Sequence, residues 1–157
     1  MVVAGVPGDA TVSAQAVNPC ALITVEEIQP LAPNESIADG VQSSLQTLGT
    51  SICRYSWGAG VARFKLDVIV NEAPRLFPGM SPDQVKQRLQ ESLKEGTTDA
   101  VIPDVGEAAV FRAESPLLAT ATASTKGRIL GVQLDGLDAR EKKDDVVALL
   151  KAAVSRL

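Results

Sequence analysis

The chain has 157 residues, 45% of them hydrophobic and 22% charged, the length and balance of one globular domain built on a single core. Lysine and arginine number 15 against 19 acidic residues, a net charge of −4, and no basic cluster is present, which argues against nucleic acid or an anionic membrane surface as the main partner. Histidine is absent; with it go the commonest general base, the commonest metal ligand and every Ser-His or Cys-His nucleophile pair.

Met1 to Val17 is rich in Ala, Val, Gly and Ser and carries one charge, Asp9. It lacks a basic stretch followed by an apolar run, so it reads as a flexible tether and not as an intact signal peptide. Residues 18–157 read as a single α+β domain. No stretch reaches the roughly 18–20 apolar residues of a membrane span.

Thr24-Val25-Glu26-Glu27 has the form of a capping box and opens a short helix that Pro30 and Pro33 end. The polar segment 34–50 reads as irregular, with at most one short strand. Two β runs follow, Ser51 to Trp57 and Val61 to Asn71, joined by Gly58-Ala59-Gly60. In the second, Ala62, Phe64, Leu66, Val68 and Val70 alternate with Arg63, Lys65 and Asp67, the period of a half-buried strand. In the first, Cys53, Tyr55 and Trp57 share one face.

The segment Glu72 to Met80 places Leu76, Phe77 and Met80 among two prolines and a glycine. Two readings stand: the three side chains fold back as a lid on the sheet, or they present a preformed apolar patch to a partner. Ser81-Pro82-Asp83-Gln84 then opens a helix with a capping hydroxyl and proline in the first turn. Its apolar stripe is Val85, Leu89 and Leu93, and Gly96 is its stop.

Three more β runs follow: Ala108 to Ala113, Leu117 to Ser124 and Arg128 to Asp135. The last two form a hairpin through Thr125-Lys126-Gly127. Asp138-Ala139-Arg140-Glu141 reads as an Asp-capped start of a helix reaching about Arg156, with Val146, Val147, Leu150, Ala153, Val154 and Leu157 on its apolar side. The expected architecture is an antiparallel sheet of about five or six strands packed by helices.

Cys20 and Cys53 are the only cysteines, too far apart in the chain for a CxxC redox motif and too few for a thiolate zinc site. A single disulfide and a pair of buried free thiols both fit. Acidic residues cluster at Asp99, Asp104 and Glu107, and again at Asp135, Asp138 and Glu141. The first group lacks the spacing of an EF-hand loop and reads as a turn; the second flanks a helix start, where acids are favoured anyway. Ser92-Leu93-Lys94 and Ser124-Thr125-Lys126 place hydroxyls near lysines outside any Ser-Lys enzyme context. No glycine-rich loop fits a phosphate. Neither catalytic residue, metal nor cofactor is expected.

Asn18-Pro19-Cys20-Ala21-Leu22-Ile23-Thr24 followed by Cys53-Arg54-Tyr55-Ser56-Trp57 resembles a family of small secreted bacterial lipoproteins and periplasmic domains of unknown function. The likeness continues through Val105-Gly106-Glu107-Ala108-Ala109-Val110, Lys126-Gly127-Arg128, Ala148-Leu149-Leu150-Lys151 and Arg156-Leu157. It implies a PsbP-like α/β/α sandwich, a Cys20–Cys53 disulfide and a secreted, periplasmic or cell-envelope location through a removed lipoprotein signal. The resemblance implies no activity; the function expected from the residues and this compartment is a noncatalytic envelope module, either an accessory domain or one that binds a protein, lipid or other envelope component, with Leu76, Phe77 and Met80 as the candidate contact. The alternative is an enzyme or small-molecule or lipid carrier with a pocket between sheet and helix, served by Asp104 and Glu107.

Overall fold

A computed structural model describes residues 17–45, 47 and 49–157. The expected tether lies outside the described residues except for Val17, which is half-buried against the core. The strands are β1 Val41–Leu45, β2 Thr50–Trp57, β3 Phe64–Glu72, β4 Ala100–Val101, β5 Ala108–Ser115, β6 Leu118–Thr125 and β7 Arg128–Asp135. The α-helices are α1 Val25–Ile28, α2 Ala73–Leu76, α3 Pro82–Glu91 and α4 Lys143–Ser155. One seven-stranded sheet runs in the order β1-β2-β3-β7-β6-β5-β4, and every neighbouring pair is antiparallel.

The strand count exceeds the expected five or six. β4 is the addition: two residues of the segment read as a loop, which pair with Phe111 and Val110 of β5. β1 is the short strand of the polar segment, and it forms because β2 offers it a paired edge; all five of its residues are exposed.

Both expected helix starts with hydroxyl caps are present. Thr24 Oγ1 accepts from the Glu27 N–H while Glu27 reaches back to the Thr24 N–H, and Ser81 and Gln84 repeat the exchange at α3. The Asp138 cap is not formed. Asp138 takes a left-handed conformation, φ 57°, and its side chain caps nothing; a 3₁₀ turn over Ala139–Lys142 leads into α4 instead. Likewise α3 closes at Glu91 with Ser92 as its cap, ahead of Gly96.

The core fills one face of the sheet. Cys53, Tyr55 and Trp57 from β2, Leu66, Val68 and Val70 from β3, and Leu130, Val132 and Leu134 from β7 are all buried there. β6 contributes only Ala119, Ala121 and Ala123, each fully buried. These small side chains let α4 lie close across β6 and β7, with Val146, Leu150 and Ala153 filling the space. On the opposite face, α3 packs on β5 and β6 through a smaller cluster of Val85, Leu89, Ala108, Val110 and Ile129.

Two groups tie the N-terminal segment to this core. Cys20 and Cys53 form a disulfide, which fastens the 3₁₀ turn Pro19–Ala21 to β2. The neighbouring Tyr55 hydroxyl donates to the Ile23 carbonyl at 2.8 Å. Gly40 passes directly over this junction: a Cβ there would lie 2.3 Å from Cys53 Sγ, closer than packed atoms approach, so only glycine fits.

Candidate functional site

Strand register decides what the second sheet face presents, because residues paired across strands share a face. One row across it reads Arg54, Asp67, Gln133, Thr120 and Arg112, from β2, β3, β7, β6 and β5. The next row along the strands reads Ile52, Ile69, Gly131, Thr122 and Val110. The first row is polar and the second mostly apolar. Asp67, which the alternation in β3 assigned to solvent, is 6% exposed. Arg54 explains it, donating from Nε at 2.7 Å and from Nη2 at 2.8 Å to the two carboxylate oxygens.

Because α2 and α3 cover only part of this face, a groove of about 410 Å³ remains between helices and sheet, a volume within the range of small-molecule sites. Its floor includes Ile69, Gly131, Thr120, Thr122 and Gln133; its walls include Leu76, Phe77, Arg88 and Leu89 from the helical side and Arg112 from β5. Gly131 deepens the floor, since it places no side chain in the middle of a strand. A Cβ at that position would meet only Ile69 Cβ at 3.9 Å and the Ala121 carbonyl at 4.0 Å, ordinary contacts that leave room above.

The polar groups of the groove are unevenly satisfied. Arg112 is paired with Glu114 on its own strand. Arg88 has no ion pair among the described residues. Ser92 Oγ donates to the Leu89 carbonyl at 2.6 Å. Thr120 is 8% exposed, and its buried hydroxyl oxygen has no hydrogen-bond partner among the described residues.

The structure divides the residues singled out in the sequence. Leu76 is 47% exposed and lines the groove. Phe77 lines it too, while also packing with Met80 against the smaller cluster. The segment holding them is the one-turn helix α2 and its exit, placed beside the sheet by the bond from the Ala73 N–H to the Gly127 carbonyl. Asp104 and Glu107 do not reach the groove; both are exposed, and Glu107 contributes its N–H to the Ser124 carbonyl. Among the described residues, no group of three or more acidic or cysteine side chains is placed to hold a metal. Lys126, next to Ser124 and Thr125, turns to the Leu157 carbonyl at 2.9 Å.

The carboxylates with shifted titration are structural. Arg156 donates to both oxygens of Glu27, and this pairing, helped by the capping bonds from Thr24, holds the Glu27 pKa down at about 2. Burial works against ionisation of Asp99, but the N–H groups of Ala113 and Lys94 and the Thr97 hydroxyl outweigh it and leave its pKa lowered. Tyr55 is raised, first by burial and then by the charges of Glu27 and Asp39. None of the three lines the groove.

Thr120, Gly131, Gln133, Arg88 and Arg112 escaped the sequence reading. One signal was available: glycine in the middle of β7, a residue that weakens strands and often marks a close approach or a gap. The disulfide fits an oxidising, extracytoplasmic compartment, and among the described residues no helix is long and apolar enough to cross a membrane. Comparison with protein-family models, curated proteins and solved structures finds no match to this chain.

Proposed function

We propose that this chain is a noncatalytic binding module of the bacterial cell envelope, of PsbP-like sandwich design, and that its ligand lies in the groove between the sheet and α2–α3. The observation that carries the reading is the groove itself: a half-covered sheet face whose mostly apolar floor is crossed by a polar row in which the Thr120 hydroxyl has no hydrogen-bond partner among the described residues. The shifted groups Glu27, Asp99 and Tyr55 serve a helix cap, a loop and the anchoring of the N-terminal segment, and lie outside the groove. The disulfide supports the compartment.

The test compares the exported wild-type protein with Gly131→Leu, which fills the groove floor from a position where a Cβ meets only ordinary contacts. Native mass spectrometry of freshly purified material should show a bound small molecule on the wild type and none on the variant, with both proteins unfolding cooperatively. The same adduct on both proteins, or on neither, overturns the assignment of the groove.

A further inference from the structure

We infer that the groove takes a single-chain amphiphile with a carboxylate head, an inference that rests on the groove being the binding site. The floor is graded along the strand direction. Its Arg112, Thr120 and Gln133 row is rich in hydrogen-bond donors, and the rows beyond it are mainly apolar, with Ile69, Gly131, Val110 and Ile129 beside Thr122 and an Asn71 that accepts from the Thr50 hydroxyl. Successive rows on one face lie two residues apart, about 7 Å along a strand. A ligand lying on such a floor sets an acceptor-rich end over the first row and an apolar body over the rest.

Charge selects the head group. Three charged side chains line the groove: Arg88 from the helical wall, Arg112 from the sheet, and Glu114 beside it. Glu114 neutralises one guanidinium, so the groove keeps a net positive charge in a chain whose total is −4. Arg88 has no ion pair among the described residues, and a guanidinium meets a planar carboxylate through paired N–H donors. Thr120 supplies an independent sign. Its buried oxygen has no hydrogen-bond partner among the described residues, a state that native interiors rarely leave uncompensated, and a turn about Cα–Cβ to another staggered position brings it to a head group resting on that row. Leu76 and Phe77, which flank the groove, then face the alkyl body.

The experiment measures binding by calorimetry with dodecanoate, dodecyl maltoside and dodecyltrimethylammonium, each below its micellar concentration. Dodecanoate should bind at least about tenfold more tightly than the cationic probe. Arg88→Gln should weaken dodecanoate by about five- to tenfold while leaving the maltoside within about twofold, and Gly131→Leu should abolish binding of all three. Equal affinity for the three heads, or an Arg88→Gln protein that binds dodecanoate like the wild type, overturns the carboxylate assignment. If no alkyl probe binds while Gly131→Leu still strips the naturally bound molecule, the ligand class falls and the groove stands. If Gly131→Leu retains that molecule, the groove itself falls. A folded variant is confirmed in each case by its unfolding midpoint.

Discussion

Arg156, the residue that caps the C-terminal end of α4, grips Glu27 of α1 through both carboxylate oxygens, at 2.6 and 2.8 Å, and uses the same guanidinium to reach the Leu22 carbonyl at 2.9 Å. The two ends of the domain are thereby joined beside the disulfide. Glu27 also closes the capping box of α1, so one carboxylate serves a local and a long-range bond together.

This pairing makes stability depend on acid. The Glu27 pKa falls from an ordinary 4.5 to about 2 in the folded chain, so the unfolded form binds the proton more readily. The stabilisation is therefore complete above pH 4.5 and is lost as pH falls toward 2. Both side chains are partly exposed, and solvent screening keeps the contribution small. Urea unfolding should place Glu27→Gln below the wild type at pH 7, with the gap closing between pH 4.5 and 2. A gap that stays constant over this interval would sink the linkage.

The disulfide closes a loop over a sequence separation of 33. On the chain-entropy account, the Cys20→Ser, Cys53→Ser double variant should lose roughly 3–4 kcal/mol, because the unfolded chain regains the freedom that the closed loop denies it. Denatured, unreduced protein purified from an oxidising compartment should show no titratable thiol. Two thiols per chain would contradict the bond.

Leu76 and Phe77 separate binding from packing. Phe77 is half-buried on the smaller cluster, so Phe77→Ser should cost about 1–2 kcal/mol, less than a fully buried aromatic. Leu76 is 47% exposed, and Leu76→Ser should leave stability within about 0.5 kcal/mol yet weaken the groove's hold on an apolar body. Calorimetric unfolding and a binding titration on both variants check this. Equal destabilisation by the two substitutions would show that Leu76 is packed as firmly as Phe77.

Local signals were readable where the chain's own neighbours decide the outcome. The hairpin β6–β7 follows from Lys126 and Gly127, both at positive φ, and the capping boxes at Thr24 and Ser81 need only four consecutive residues. What the sequence hid is non-local. β7 pairs with β3, across the whole α2–α3–β4–β5–β6 excursion, and no pattern in Leu66 or Leu134 announces that partner. The same pairing sets the buried Asp67, which Arg54 compensates, beside Gln133, so that the row carried through Thr120 and Arg112 by the β6–β7 and β5–β6 hairpins continues onto β3. Asp104 and Glu107 looked chemically richer in the sequence because carboxylates are conspicuous, whereas a threonine alternating with alanines in β6 looks like any strand. The cysteine pairing was legible as one of two options, since two residues allow only one bridge.

Thr120 links stability to binding with opposite signs. A buried hydroxyl without a partner costs roughly 1–3 kcal/mol, and an apolar replacement of the same shape removes that cost. Valine matches threonine in outline and favours strands, so Thr120→Val should stabilise the ligand-free protein by about 1 kcal/mol, read as a higher urea midpoint with an unchanged slope. If the hydroxyl serves the ligand's head group, the same variant should bind dodecanoate about five- to tenfold more weakly, the loss of one hydrogen bond to a charged acceptor. Gain of stability with loss of affinity is the signature of a polar group retained for function. A Thr120→Val protein less stable than the wild type would mean that the hydroxyl is satisfied in solution, and the case for a ligand over this row would lose its independent support.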